Sequence, residues 1–183
     1  MSGIWKPEVV GEILIPPAKI ARRVRALGAK ITRDYGRRPL AGRDLVVVGV
    51  LRGASLFLAD LLRQIRLPVV VDFISASSYG KETKTTGEVK IVKDLQEPVR
   101  GRHVLLVEDV VDTGLTLTFL RKTLRARGAS SVRICALLDK PAKRRVAIRA
   151  DYVGFTLPDR FVIGYGLDYE ERYRNLPYVA TPK

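Results

Sequence analysis

Residues 44–74 read DLVVVGVLRGASLFLADLLRQIRLPVVVDFI. The first seven are a nearly unbroken β-branched run, the composition of a strand buried on both faces. ASLFLADLLRQI (54–65) switches to helical spacing, and PVVVDFI (68–74) returns to a β-branched run. Strand, short loop, helix, strand is a βαβ unit, which requires a parallel sheet. The fold class is therefore α/β.

The same grammar extends in both directions. Upstream, Ile20, Val24, Leu27, Ile31 and Tyr35 recur at helical intervals among basic residues, so 17–35 reads as an amphipathic helix. Downstream, HVLLVE (103–108) predicts a strand, Gly114 to Arg127 a helix, and VRICALL (132–138) another strand. Between the units lies SASSYGKETKTTGEVKIVKDL (75–95), a polar insertion with a short alternating segment, GEVKIV. Long polar insertions in compact domains are often lids or binding loops, although a solvated hairpin has the same composition. After residue 139 the segments RRVAI, DYVGF and FVIGYG read as short strands added at a sheet end. No repeat is present and no linker divides the chain, so all 183 residues are expected to form a single domain.

Composition bounds the function. Hydrophobic residues at 46% and charged residues at 28% describe a globular chain. No apolar run approaches the roughly 20 residues that span a bilayer. The opening MSGIWKPEVV lacks the basic and apolar regions of a secretory signal. Cys135 is the sole cysteine and excludes an intrachain disulfide; inside VRICALL it reads as a small core residue. A single His, His103, builds no metal cluster. These features point to a cytoplasmic location. A net charge of +14 favours phosphate-bearing or polyanionic partners over neutral ones, and is equally compatible with a solubilising surface. Asn175 is the only asparagine, Gln64 and Gln96 the only glutamines and Met1 the only methionine. Such depletion accompanies life at high temperature, and GC-rich codon usage gives the same picture.

VLLVEDVVDTGLTL (104–117) carries the chemistry. An apolar strand delivers Glu108 and Asp109 to its carboxyl end, where open α/β sheets bind ligands. Asp112-Thr113-Gly114-Leu115-Thr116 then leads into a helix N-terminus, with its unpaired N–H groups and positive dipole end. A glycine for close backbone approach and two hydroxyls complete a phosphate cradle. Carboxylates beside such a cradle suit sugar hydroxyls or a divalent metal. Capping by Asp112 and Thr113 is the plainer alternative, but it leaves the Glu108-Asp109 pair unexplained.

This stretch resembles the phosphoribosyl-pyrophosphate (PRPP) signature of type I phosphoribosyltransferases, in the form used by the hypoxanthine (guanine) branch. VLRGASLFLADL (50–61), SSYG (77–80), LLDKPAKRR (137–145) and DYVGFTLPDRFVIGYGLDYEERYRNLPYV (151–179) extend the likeness to about residues 8–180. The resemblance implies a single parallel-sheet core over about 36–150, with a small hood from about 1–20 and 151–183. It implies Asp112 as general base toward purine N7, and Glu108 and Asp109 on the ribose hydroxyls. Asp112, Thr113, Gly114, Leu115 and Thr116 are expected on the 5′-phosphate; many relatives carry Lys where Leu115 stands. Leu51, Arg52, Gly53 and Arg174 are expected on the pyrophosphate; in relatives the peptide before the basic residue can be cis. Lys140, Phe161, Val162 and Asp168 belong by likeness to the purine side, Ser78 and Tyr79 to a mobile loop. Arg160 replaces a frequent Lys.

By the same likeness Mg2+ is the cofactor, with Glu108, Asp109 and Asp168 as its carboxylates. PRPP and a 6-oxopurine are the partners of a homo-oligomer, dimer or tetramer, with no membrane and no specific nucleic acid. An RNA-binding attenuator on the same scaffold and a xanthine-preferring enzyme are the alternatives. Lys140, the Phe161-Val162 pair and Asp112 favour the purine enzyme.

Overall fold

The structure is a computed structural model and describes residues 5–37, 44–78 and 89–183; of Ser78 only the backbone is described. In chain order the elements are β1 (Val10–Ile15), α1 (Pro17–Gly36), β2 (Leu45–Val50), α2 (Ser55–Leu62), β3 (Val69–Ser78), β4 (Val89–Lys93), β5 (His103–Val111), α3 (Leu115–Ala126), β6 (Ser131–Asp139), β7 (Tyr152–Thr156) and β8 (Val179–Pro182). Among the described residues six strands form one sheet, ordered β4-β3-β2-β5-β6-β7. All neighbours pair in parallel except β4, which runs antiparallel to β3 at the edge.

The β-branched runs sit where their composition requires. Every residue of β2 is buried, because helices cover both faces of the sheet. Val47, Leu105, Cys135 and Leu137 face α1 and α2, meeting Ile20, Val24, Leu27 and Ile31 on one helix and Phe57, Leu58 and Leu61 on the other. Val46, Val48, Leu106, Ile134 and Ala136 face the opposite way, onto Leu117, Leu120 and Leu124 of α3. Each large buried side chain contributes about 1.5–3 kcal/mol. Pro17 opens α1 at a position whose N–H has no helical partner. Arg23 ties α1 to the far edge strand by donating to the carbonyls of Gly154 and Val153, at 2.7 and 2.6 Å.

The strand order fixes the site. From β2 the chain winds outward through β3, whereas from β5 it winds the other way through β6 and β7. The carboxyl ends of β2 and β5 therefore flank the crevice where a doubly wound sheet reverses direction. β1 and β8 form a separate antiparallel pair at the chain ends. Val10, Ile163, Leu176, Tyr178 and Ala180 give this pair its own small apolar cluster.

Two expected strands are not formed. RRVAI (144–148) is irregular: the Arg145 N–H donates to the Thr113 carbonyl at 3.0 Å and the Ile148 N–H to the Val146 carbonyl at 2.8 Å, so its backbone serves a turn and not a ladder. FVIGYG (161–166) makes only isolated bridges, Ile163 with Ala180 and Gly164 with Leu167. Positive φ at Gly164, Tyr165 and Gly166 takes its backbone out of the β region. DYVGF, by contrast, joins the main sheet as β7.

Candidate active site

β5 runs past the paired acids: Val110 and Val111 still pair with Leu138 and Asp139 of β6. Glu108 and Asp109 therefore lie within the strand, on opposite faces of its pleat. Glu108 lines a pocket of about 230 Å³ with Leu51, Ala76, Asp112, Thr113, Gly114 and Thr116. Asp109 turns toward the loop after β2. A Cβ added to Gly53 would stand 1.6 Å from Asp109 Oδ2, so any larger residue there forces the carboxylate or the loop to move. Burial, and next the neighbouring Asp109 charge, push Glu108 well above the usual carboxylate range. Burial also raises Asp109, outweighing hydrogen bonds and the Arg174 guanidinium, which act the other way. Two negative charges are thus disfavoured on this pair until a hydroxyl donor or cation arrives.

The turn after β5 is shaped by Gly114. It is the N-cap of α3 at φ 82°, and a Cβ on it would lie 2.4 Å from Ile148 Cγ2. The cap residue has no side chain, so the first turn keeps its N–H groups open apart from a long 3.4 Å contact from Leu115 to Thr113 Oγ1. Asp112 caps nothing. Its Oδ1 is buried and has no hydrogen-bond partner among the described residues. Lys140, buried at 4% exposure, places Nζ 3.8 Å from that oxygen. Lys143 approaches Asp112 Oδ2 at 4.0 Å while holding Asp159 at 2.9 Å. The sequence reading did not select Lys143; in LLDKPAKRR it is one of four cations, and nothing local distinguishes it.

The remaining candidates converge from the other side. The Leu51–Arg52 peptide is cis. Gly166 packs against this loop, its ideal Cβ 2.0 Å from the Gly53 carbonyl oxygen. Arg174 donates to the Gly166 carbonyl at 2.8 Å and pairs with Asp168 at 2.8 Å. Glu171 accepts from both Arg52 at 2.7 Å and Arg174 at 3.3 Å. Glu171 was not anticipated either. Val162 is buried, whereas Phe161 is 58% exposed, its ring edge-on to Tyr169 at 6.0 Å; that exposure argues against a core role. Tyr169 is a further ring that the sequence reading passed over. Arg160 pairs with Glu12 of β1 at 2.9 Å. Ser78 ends β3, while Tyr79 lies outside the described residues.

Oxygen donors suit a hard cation such as Mg2+. Among the described residues no cluster of three or more metal-ligating side chains exists. No helix of the described residues is long and apolar enough to cross a membrane.

Comparison with known proteins places the chain in a family. The phosphoribosyl transferase domain profile matches residues 11–170. The hypoxanthine phosphoribosyltransferase of Salmonella typhimurium is 50% identical over 169 residues, covering 92% of this chain and 93% of the relative. The hypoxanthine-guanine phosphoribosyltransferase of Bacillus subtilis is 49% identical over 175 residues, 95% of this chain and 94% of the relative. The crystal structure of a hypoxanthine phosphoribosyltransferase from Staphylococcus aureus superposes with a TM-score of 0.88 at 43% identity, covering 96% of this chain and 92% of that one.

Proposed function

The chain belongs to the phosphoribosyl transferase domain family, and on that premise we propose that it transfers the phosphoribosyl group of PRPP to hypoxanthine and guanine. The products are the nucleoside monophosphate and pyrophosphate, a purine salvage reaction. One observation carries the choice of base. A buried ammonium, Lys140, stands 3.8 Å from a carboxylate oxygen of Asp112 that lacks a hydrogen-bond partner. A 6-oxopurine offers the matching pair on one edge, O6 to accept and N7–H to donate. Adenine offers an amino group where Lys140 has only donors.

The purine N9 forms the new bond to the ribose C1 as the bond from C1 to the diphosphate breaks, and the N7 proton passes to Asp112. Lys140 holds O6. Phe161 stacks on the ring, with Val162 at its edge and Asp168 near the diphosphate. Thr113, Gly114, Leu115 and Thr116 grip the 5′-phosphate through the open first turn of α3. Glu108 and Asp109 take the ribose hydroxyls; their raised proton affinity favours partners that donate or carry positive charge. Leu51, Arg52, Gly53 and Arg174 surround the pyrophosphate, for which guanidinium gives paired hydrogen bonds. Glu108, Asp109 and Asp168 are the carboxylates for Mg2+, which when bound offsets the charge of the departing diphosphate. Ser78, at the end of β3, and Tyr79, outside the described residues, are the candidates for excluding water over the site. The hood, expected over about 1–20 and 151–183, narrows to β1, β8 and the segment from 157 onward, because β7 joins the main sheet and α1 begins at Pro17. A cytoplasmic homo-oligomer, dimer or tetramer, completes the reading.

Incubation with PRPP, Mg2+ and each of hypoxanthine, guanine, xanthine, adenine and uracil tests it. Product is expected with the first two bases. Turnover led by xanthine, adenine or uracil refutes the reading.

A further inference from the structure

We propose that Glu171 is a displaceable stand-in for pyrophosphate, an internal carboxylate that holds the two guanidiniums in the free protein and competes for them when the product leaves. The proposal rests on the assignment of Arg52 and Arg174 to the pyrophosphate. Glu171 Oε2 lies 2.7 Å from Arg52 and 3.3 Å from Arg174, so one anionic oxygen bridges both cations. Arg174 is fixed independently by Asp168 and the Gly166 carbonyl, and does not need Glu171 for its orientation. Arg52 is 67% exposed on its side chain, and its only ion-pair partner among the described residues is Glu171.

The backbone beneath Glu171 is unusual in a way that serves this placement. Tyr169 and Arg172 exchange backbone hydrogen bonds at 3.1 and 3.0 Å, closing a two-residue hairpin turn. Both central residues are left-handed, Glu170 at φ 52° and Glu171 at φ 64°. Such turns favour Asn and Gly, because a Cβ is disfavoured at positive φ. This chain keeps two glutamates there, and the Glu171 N–H is further held by Asp168 Oδ2 at 3.1 Å. The turn presents a carboxylate on a fixed support at the mouth of the cation pair.

A diphosphate and a carboxylate cannot share these guanidiniums. PRPP displaces Glu171 on entry, and after transfer Glu171 returns as pyrophosphate departs. The device weakens diphosphate affinity and lowers product inhibition without touching the purine. Exposed ion pairs are individually weak, so the effect is a modest factor.

The test is the inhibition constant of pyrophosphate, competitive against PRPP, in Glu171→Gln. Glu171→Gly serves as a second variant, since glycine suits the left-handed turn. Both are expected to lower that constant and the KM for PRPP by about three- to tenfold, with the KM for hypoxanthine within about twofold of the parent. An unchanged or higher inhibition constant in either variant, or an equal fall in the hypoxanthine KM, overturns the proposal. Arg52→Gln checks the premise separately. If it fails to raise the pyrophosphate constant, the assignment of the cations is wrong and the proposal falls with it. If it raises the constant while the Glu171 variants do nothing, only the stand-in role is lost.

Discussion

Replacing Gly53 by alanine should separate catalysis from stability. The added methyl would lie 1.6 Å from Asp109 Oδ2 and 2.6 Å from its Cγ. Real contacts of that kind need roughly 3 Å, so the carboxylate or the 51–53 loop must retreat by about 1.4 Å. Gly53 is not among the residues at positive φ, so alanine meets no left-handed backbone strain there. Gly→Ala at a compatible backbone adds about 0.4–1 kcal/mol by restricting the unfolded chain. That gain offsets part of the cost of moving one partly buried carboxylate, and the melting temperature should stay within a few degrees of the parent. Activity has no such cushion. A displacement of about 1 Å in a positioning group costs on the order of 10²-fold, or about 2.7 kcal/mol of barrier. Steady-state kinetics with hypoxanthine fixed and PRPP varied should show kcat/KM for PRPP down by about 10², while thermal denaturation shows a folded, cooperative protein. A variant with kcat/KM within threefold of the parent would refute the claim that Asp109 and the loop after β2 form one ligand-gripping unit.

Two further outcomes follow from the same geometry. Asp112→Asn removes the proton acceptor but keeps the shape, so kcat should fall by about 10²–10⁴ while PRPP still binds; calorimetric titration with PRPP beside turnover checks both halves. Asp72 is buried and accepts from the Phe73, Gln96 and Glu97 N–H groups at 2.7, 2.8 and 3.0 Å. Burial pushes its pKa up, but these bonds and the Lys93 charge outweigh it and leave the pKa below 3.8. A depressed folded pKa means stability that is full above the unfolded value and lost as pH falls through the folded one. Asp72→Asn should therefore cost about 1.5–3 kcal/mol at pH 7, and the gap to the parent should close as pH falls through the depressed pKa of the folded Asp72. Denaturant midpoints across pH measure this, and a gap that persists in acid contradicts it.

Local pattern carried much of the architecture. The apolar runs at 45–50 and 104–107 read as strands buried on both faces, and Ile20, Val24, Leu27, Ile31 and Tyr35 as one face of a helix. Period and composition register local burial, which is why these elements were legible. The signature at 104–117 was legible for a related reason: acids, hydroxyls and a glycine turn adjacent in sequence are adjacent in space. RRVAI misled because a short apolar stretch looks the same whether its backbone enters a ladder or braces the Thr113 turn.

By itself the sequence determined an α/β sheet, its principal helices and a phosphate-and-carboxylate motif at one strand end. The tertiary structure alone decided which distant loops meet there. Strand order brings the loop after β2 beside β5, seating Gly53 on Asp109, 56 positions further along the chain. It also places Lys143 near Asp112 and draws Glu171 between Arg52 and Arg174. Those contacts depend on how the sheet reverses at β2 and β5. Hydrophobic periodicity records which side of an element is buried, and says nothing of which other element buries it.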